Sequence, residues 1–242
     1  MEAIILAGGK GTRMKGTVPK VLVEVNGTPI IKKVYKAVNN KYVNRTIIVV
    51  GEQKETIQNT LSGNITYAYQ MIPLGTMDAY IQALPYVSTK EVIVVPADIP
   101  YLDKSIIQDI IEYYYQNNIR NLLIGMRVMN PYNYGRIIID NKKIRIVEEK
   151  ECSEEERNVN IVNTGIYIFH VEDVYNYLKE LQIHHQNNEY YLTDYINYLA
   201  SNKLLDSLIF PENYHLKGAN DLETLKILDN EYNNENTFKK IY

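Results

Sequence analysis

The sequence has little of what marks secreted or membrane-bound proteins. Its 242 residues include one cysteine, Cys152, so no disulfide can form within the chain, and a reducing compartment is the natural environment. No apolar run approaches the roughly 18 residues of a membrane span. The short apolar run at 3–7 follows Glu2 and lacks the basic region of a signal peptide. A cytoplasmic protein is therefore expected.

The chain also lacks an excess of charge of one sign. The formal net charge is -3, so bulk electrostatics favour neither nucleic acid nor an anionic membrane as a partner. Cys152 lies among glutamates that would raise the pKa of its thiol, so a catalytic thiolate is not expected. The histidines do not have the spacing of zinc ligands; they are His170, His184, His185 and His215.

What the sequence does have is a regular alternation of apolar runs and helical patterns. Residues 2–7 form a continuous apolar run that ends in two glycines, which is typical of a strand buried on both faces of a parallel sheet. The predicted strands are 2–7, 46–50, 65–69, 91–95, 135–140, 142–148, 163–169 and 204–210. The predicted helices are 28–40, 53–61, 76–84, 104–117, 171–182, 192–200 and 220–231. The alternation predicts an α/β fold with a Rossmann-like, doubly wound, mostly parallel sheet and a small β-rich insertion after about residue 120.

Three local predictions accompany this fold. Thr28 is a good N-cap for the first long helix, with Pro29 in its first turn. A hairpin turn is predicted around Asp140 and Asn141. The charged run at 148–157 is expected to be a solvated loop.

A glycine-rich segment follows the first strand. Residues 6–14 read L-A-G-G-K-G-T-R-M, and their glycines let the backbone turn sharply and approach a ligand closely. Backbone N–H groups there can cradle a phosphate, and the nearby lysines and arginine add positive charge. The spacing matches neither the dinucleotide fingerprint nor the Walker loop. Phosphate binding is favoured over the alternative of a plain surface turn.

This segment, with P-K-V-L at 19–22, resembles the signature of the sugar-1-phosphate nucleotidyltransferases. In that family the loop wraps a nucleoside triphosphate, which implies nucleotide-binding roles for Leu6, Ala7, Gly8, Gly9, Gly11 and Thr12. The family's catalytic arginine and lysine fall on Arg13 and Lys20. Bidentate arginine suits phosphate oxygens.

Residues 70–79 read Q-M-I-P-L-G-T-M-D-A and resemble the uracil-reading segment of the bacterial N-acetylglucosamine-1-phosphate uridylyltransferases. The resemblance implies that Gln70 bonds the uracil edge and that Gly75 and Thr76 complete the base pocket. On local grounds Thr76 is also a candidate cap for the helix that follows, and both roles can hold at once.

Four later segments resemble the sugar-binding side of the same branch. They are Y-G-R-I at 134–137, V-E-E-K at 147–150, N-T-G-I at 163–166 and E-Y-Y-L-T-D at 189–194. The resemblance implies that Gly135, Glu148, Asn163 and Thr193 contact the sugar. Local alternatives are a strand-entry glycine for Gly135 and a solvent-facing side chain for Glu148.

Two further segments imply a Mg²⁺ site. Residues 96–102 resemble the family's G-D-x-P-L loop, with alanine at 97 in place of glycine and an additional tyrosine at 101; Asp98 would hold the metal. G-A-N-D at 218–221 resembles G-V-N-N, and Asn220 would supply the second ligand. Asn220 and Glu223 could instead form a capping box, in which case the cap would compete for the same side-chain oxygen.

The resemblance implies transfer of UMP from UTP to N-acetylglucosamine 1-phosphate by a single nucleotidyltransferase domain spanning 1–242. Its nucleotide-binding half is expected at about 1–120, its sugar-binding half at about 121–225, and a C-terminal helix and tail at 226–242. The sequence has no hexapeptide repeat of the kind that builds the acetyltransferase domain of those bacterial enzymes, so no acetyltransferase activity is expected.

Other substrate pairs remain open: glucose 1-phosphate with UTP or dTTP, and CTP with a polyol phosphate. A non-catalytic nucleotide-sugar sensor is the alternative from another class, and retention of Arg13 and Lys20 disfavours it. The sequence does not predict an oligomeric state.

Overall fold

The computed structural model describes residues 1–9, 19–141, 143–180, 189–219 and 221–241, with side chains as far as Asn233 in the last helix. Its strands are β1 (Glu2–Ala7), β2 (Glu24–Val25), β3 (Thr28–Pro29), β4 (Thr46–Val50), β5 (Ile65–Tyr69), β6 (Glu91–Pro96), β7 (Leu122–Arg127), β8 (Arg136–Asp140), β9 (Lys143–Val147), β10 (Ile161–His170) and β11 (Asp206–Phe210). Its helices are α1 (Ile30–Val38), α2 (Lys54–Thr60), α3 (Thr76–Ala83), α4 (Lys104–Gln116), α5 (Glu154–Arg157), α6 (Val171–Leu178), α7 (Leu192–Ser201) and α8 (Leu222–Ile241). None of the helices in this part of the chain is long and apolar enough to cross a membrane.

The main sheet has the strand order β11-β7-β10-β6-β1-β4-β5. β1 pairs in parallel with β4 and β6, β4 with β5, and β7 with β11. β10 runs antiparallel between β6 and β7, and the β8–β9 hairpin is attached to its first residues. The predicted α/β fold with a mostly parallel sheet is therefore confirmed; within the strand order given, β10 runs opposite to both of its neighbours.

Helices cover both faces of this sheet because successive side chains of a buried strand point to opposite faces. In β1, Ile5 packs on the face covered by α1, α4 and α8, whereas Ile4 packs on the face covered by α3, α6 and α7. Neither side chain is exposed to solvent. This two-sided burial explains why β1, β4 and β6 appear in the sequence as unbroken apolar runs.

The predicted N-cap at Thr28 is wrong. Thr28 pairs with Val25 in a two-stranded ribbon, and α1 begins at Ile30 without a side-chain cap. Asn26 and Gly27 turn this ribbon with φ values of 53° and 69°. An Asn-Gly pair between two short strands is a strong hairpin signal, and it outweighs the capping preference of threonine.

Two other regions differ from the sequence prediction. β7 was not predicted, although it is buried along most of its length and pairs with both β10 and β11. The charged run at 148–157 is not a simple solvated loop, because it contains α5, whose Ser153 and Glu156 form a capping box. The predicted hairpin is confirmed, and Asn141 at its turn has a φ of 46°.

Candidate active site

A cleft of about 660 Å³ lies beyond the carboxyl ends of β1 and β6, where open α/β sheets bind their ligands. Every sequence-predicted site residue that the structure describes lines this cleft. They are Leu6, Ala7, Gly8, Gly9, Lys20, Gln70, Gly75, Thr76, Asp98, Gly135, Glu148, Asn163 and Thr193. Gly11, Thr12, Arg13 and Asn220 lie outside the described residues. The cleft therefore joins segments that are distant in sequence.

The glycines after β1 allow a close approach between chain segments. A Cβ atom on Gly8 would overlap Oε1 of Gln70, and a Cβ atom on Gly51 would lie 2.6 Å from the carbonyl oxygen of Gly8. Only glycine fits at these two positions without displacing a neighbour. The end of β1 is thus packed directly against the segment that carries Gln70.

Gln70 is held rigidly beside this loop. Its backbone N–H donates to Val50 O at 2.8 Å, and its side chain is almost fully buried. Its Nε2 donates to the carbonyl oxygen of Gly75 at 3.0 Å and to Oδ2 of Asp78 at 2.7 Å. Sequence reasoning missed Asp78, which lies in the first turn of α3.

Thr76 does not cap α3. The N-cap position is Gly75, and no side chain caps this helix. The Thr76 hydroxyl instead accepts a hydrogen bond from Leu192 N at 2.9 Å. Tyr190 N donates to Leu74 O at 2.7 Å, and Met77 N donates to Tyr190 O at 2.9 Å. These three bonds join the Gln70 segment to the segment that carries Thr193.

Glu148 follows β9 and faces α7. Thr193, in the first turn of α7, donates its hydroxyl hydrogen to Glu148 Oε1 at 2.8 Å. The other carboxylate oxygen lies 3.6 Å from the position that a Cβ atom would take on Gly135. Three of the predicted sugar-binding residues therefore converge at one wall of the cleft.

Asn163 lies in a β-bulge of β10, where Gly165 has a φ of 78°. Its Oδ1 accepts from Gly165 N at 3.1 Å, and its Nδ2 donates to the hydroxyl of Tyr167 at 2.7 Å. Burial raises the pKa of Tyr167 above its ordinary value, so the phenol stays neutral. Tyr167 lines the cleft and was missed by sequence reasoning because it reads as an ordinary strand residue.

Lys20 and Asp98 form an ion pair at the floor of the cleft. Lys20 Nζ lies 2.5 Å from Asp98 Oδ2, and the two side chains are 14% and 24% exposed. The carbonyl oxygen of Asp98 accepts from Ala219 N at 2.9 Å, which holds Ala219 against the loop that carries the predicted metal ligand. The predicted catalytic lysine and the predicted metal ligand are thus in direct contact.

Asn220, the candidate metal ligand and alternative cap, lies outside the described residues, but its neighbour Asp221 is described. Asp221 Oδ1 accepts from Thr224 N at 2.7 Å, so Asp221 caps the first turn of α8. Hydrogen bonds from that turn lower the pKa of the Asp221 carboxyl below its ordinary value. The cap therefore does not require the side-chain oxygen of Asn220.

The donor set at Asp98 fits Mg²⁺. In the described parts of the chain no three His, Cys, Asp or Glu side chains converge as a metal site. A metal at Asp98 would take most of its ligands from substrate phosphates and water. Mg²⁺ binds in this way, through one or two carboxylates and several waters.

Arg136 is a buried support for the Gly135 segment that sequence reasoning missed. Its guanidinium is 2% exposed and lies 2.7 Å from a carboxylate oxygen of Glu149. It also donates to the carbonyl oxygens of Tyr134 and Arg157. The prediction of a solvated loop was wrong here because this buried cation draws Glu149 inward. A lone arginine at the start of an apolar strand was the available signal.

Comparison with known proteins finds relatives that match most of this chain. The protein called "Bifunctional protein GlmU" from Carboxydothermus hydrogenoformans is 40% identical to this chain, over 91% of this chain and 50% of that protein. The one from Acetivibrio thermocellus is 36% identical over 91% of this chain and 49% of that protein. The chain thus spans about half the length of the curated relatives that it matches.

Two solved structures share the fold. A UDP-glucose pyrophosphorylase complexed with UDP-glucose superposes with a TM-score of 0.78 at 19% identity, over 97% of this chain and 98% of that one. A putative glucose-1-phosphate thymidylyltransferase from Bacillus anthracis, in complex with a sucrose, gives 0.77 at 22% identity, over 95% and 94%.

The sequence profile of one family covers nearly all of the strands and loops that line the cleft. Residues 2–215 match the family described as nucleotidyl transferase. This match includes every described residue of the predicted site and extends over most of the chain. On this ground the chain belongs to the nucleotidyl transferase family.

Proposed function

We propose that the chain transfers UMP from UTP to N-acetylglucosamine 1-phosphate, releases pyrophosphate and requires Mg²⁺. The observation that carries this proposal is the meeting of Gln70, Asp98 and Glu148 in one cleft. They come from three separate motifs and suit a base, a phosphate-bound metal and a sugar, respectively. The relatives named GlmU are bifunctional by name, and the family match supports nucleotidyl transfer as the activity of the half that this chain matches.

The base end of the cleft suits uracil. Gln70 Nε2 is already bonded to Gly75 and Asp78, so its Oε1 is the atom left for a ligand. A carbonyl oxygen accepts from the N3–H group of uracil. Of the glycines after β1, Gly9 has no atom within 4 Å of the position that a Cβ atom would take, so it leaves space for a flat base close to the backbone.

The sugar end of the cleft offers both kinds of hydrogen-bonding partner. The Glu148 carboxylate accepts hydrogen bonds from sugar hydroxyls or from the N–H of an acetamido group. Asn163 has a second Nδ2 hydrogen that can donate to a hydroxyl or carbonyl oxygen. An N-acetylated sugar provides partners for both groups.

The reaction would be an in-line displacement. An oxygen of the sugar phosphate attacks the α-phosphorus of UTP, the bond from this phosphorus to the bridging oxygen breaks, and pyrophosphate leaves. No covalent enzyme intermediate is needed, so alignment and charge neutralisation supply the catalysis. Lys20 would neutralise the developing charge, together with Arg13, which lies outside the described residues.

The Lys20–Asp98 ion pair indicates how the substrates would enter. A phosphate that binds Lys20 competes with the Asp98 carboxylate for the ammonium group, and Asp98 then becomes available to a metal. When bound at Asp98 and Asn220, Mg²⁺ would neutralise phosphate charge. Lys20 would thus exchange Asp98 for a phosphate, and Asp98 would exchange Lys20 for a metal ion.

A substrate panel tests the proposal. The purified protein is incubated with Mg²⁺, each of UTP, CTP, ATP, GTP and dTTP, and a set of sugar 1-phosphates, and pyrophosphate release is measured. Release with UTP and N-acetylglucosamine 1-phosphate is expected, and Lys20→Ala should lower turnover by orders of magnitude with the fold intact. Release with glucose 1-phosphate or dTTP instead would overturn the substrate assignment. No release from a folded protein would favour the nucleotide-sugar sensor.

A further inference from the structure

The side-chain amide of Gln70 has only one possible orientation. Both hydrogens of Nε2 are directed to atoms that can only accept, the carbonyl oxygen of Gly75 at 3.0 Å and the carboxylate of Asp78 at 2.7 Å. Exchanging nitrogen and oxygen would place Gln70 Oε1 against these two oxygens, which is unfavourable. The network therefore determines which atom faces the ligand.

That atom is an acceptor. Gln70 Oε1 lies against Gly8 in the cleft wall and has no hydrogen-bond partner in the part of the chain that the structure describes. A ligand in this corner meets the carbonyl oxygen of Gln70, because both hydrogens of Nε2 are directed to Gly75 and Asp78. Among pyrimidines, uracil and thymine carry a hydrogen on N3, whereas N3 of cytosine is itself an acceptor. The corner can therefore accept a hydrogen bond from N3 of uracil or thymine, but not from N3 of cytosine.

Asp78 accepts two side-chain hydrogen bonds, one on each carboxylate oxygen. Its Oδ2 accepts from Gln70, and its other oxygen, Oδ1, accepts from Gln82 Nε2 at 3.1 Å, one helical turn later in α3. The carboxylate is fully an acceptor when ionised, so it cannot tolerate an inverted Gln70 amide. The carbonyl oxygen of Gly75 also accepts from Gln70 Nε2, but it is a backbone atom and cannot be removed by a side-chain substitution.

We propose that Asp78 is a specificity-determining positioning residue that selects the nucleobase through Gln70. By accepting from Gln70 Nε2 it leaves only an acceptor for the base, which admits a pyrimidine with hydrogen on N3 and rejects cytosine. This inference rests on the proposed function and names the base class that its nucleotide site takes.

The selectivity has a definite physical origin. CTP would bring its N3 lone pair against Gln70 Oε1, so two buried acceptors would face each other with no hydrogen between them. Sites built to hydrogen-bond a substrate group reject analogues that lack it by large factors. We expect the wild-type protein to prefer UTP over CTP by at least about 100-fold in kcat/KM.

The test compares UTP with CTP in Asp78→Ala and Asp78→Asn. Asp78→Ala removes the acceptor, and Asp78→Asn can also donate to an inverted Gln70. In both variants the UTP:CTP ratio of kcat/KM should fall roughly tenfold or more, mainly because UTP is used less well, while the KM for the sugar 1-phosphate stays near its wild-type value. Gln82→Ala is the matched control, since it removes the hydrogen bond between Gln82 and Asp78 but keeps the one between Gln70 and Asp78. The UTP:CTP ratio of kcat/KM should not change in this variant.

A binding measurement separates this inference from the proposed function. Titration calorimetry with UTP and with CTP gives the same ratio without turnover. An equal loss for both nucleotides, or an unchanged ratio in a folded Asp78→Asn protein, would overturn the role of Asp78. A wild-type protein that binds UTP and CTP equally would overturn it as well. Binding of UTP over CTP without pyrophosphate release would support the role of Asp78 and reject the proposed enzyme.

Discussion

Replacing Thr193 with valine removes one hydrogen bond at the sugar end of the cleft. The side chains are nearly equal in size, and Thr193 is buried, so packing changes little. The lost bond is the 2.8 Å donation from Thr193 to Glu148 Oε1, in which the acceptor is charged. Hydrogen bonds to charged groups contribute about 1.5–3 kcal/mol. If Glu148 must point at the sugar, kcat/KM for the sugar 1-phosphate should fall roughly 10- to 150-fold.

The assay is pyrophosphate release with the sugar 1-phosphate varied at saturating UTP, and then with UTP varied at saturating sugar 1-phosphate. The KM for UTP should change little, because Gln70, the residue proposed to bind the base, makes no hydrogen bond to Thr193 or Glu148 among the described residues. Thr193→Ser is the matched control, since it keeps the hydroxyl and should keep most of the activity. Near-normal use of the sugar 1-phosphate by a folded Thr193→Val protein would refute the idea that this bond orients Glu148.

Three further changes test other parts of the site. Asp98→Asn should raise the Mg²⁺ concentration for half-maximal activity by at least about tenfold, since a carboxylate ligand is lost; an unchanged Mg²⁺ titration would remove its metal role. Tyr167→Phe deletes an acceptor of the sugar-side amide and should raise KM for the sugar 1-phosphate alone, whereas Tyr195→Phe, which removes a buried hydroxyl with no partner among the described residues, should leave KM unchanged. Equal effects of the two phenylalanines would contradict the assignment. Arg136→Met removes a buried guanidinium that contacts Glu149 and donates to two carbonyl oxygens, while Glu149 keeps its longer contact with Arg157. Hydrogen bonds to charged groups contribute about 1.5–3 kcal/mol, so the melting temperature should fall by about 3–12 °C in a thermal-shift assay; a change of a degree or less would show that Arg136 is not needed for stability.

Much of the fold could be predicted because the burial of an element determines the pattern of apolar residues in its sequence. β1, β4 and β6 are buried on both faces and therefore appear as short unbroken apolar runs between helical patterns. β10 is also apolar, but its direction depends on which strands lie beside it, and no local signal contains that information. Its antiparallel position between β6 and β7 is visible only in the assembled sheet.

For the site, too, the sequence predicted the positions of residues but not the contacts that orient them. Motif order located Gln70 and Asn163, and both line the cleft as expected. The orientation of their side-chain amides depends on residues to which the sequence assigned no role. These are Asp78 for Gln70 and Tyr167 for Asn163. Thr76 shows the limit of local reasoning, since its hydroxyl does not cap α3 but accepts from Leu192 N, at the start of α7 and 116 positions away.

The central position of β10 has a consequence for how the protein is made. β6 is synthesised early, but the strand that covers its open edge is the late β10. The ribosome adds about 5–20 residues per second, so the edge of β6 stays uncovered for several seconds of translation. That edge belongs to a run of valine and isoleucine side chains with unpaired backbone groups, which is a template for association with other nascent chains. The arrangement that brings the bulge of β10 into the cleft therefore makes a chaperone useful until β10 has emerged.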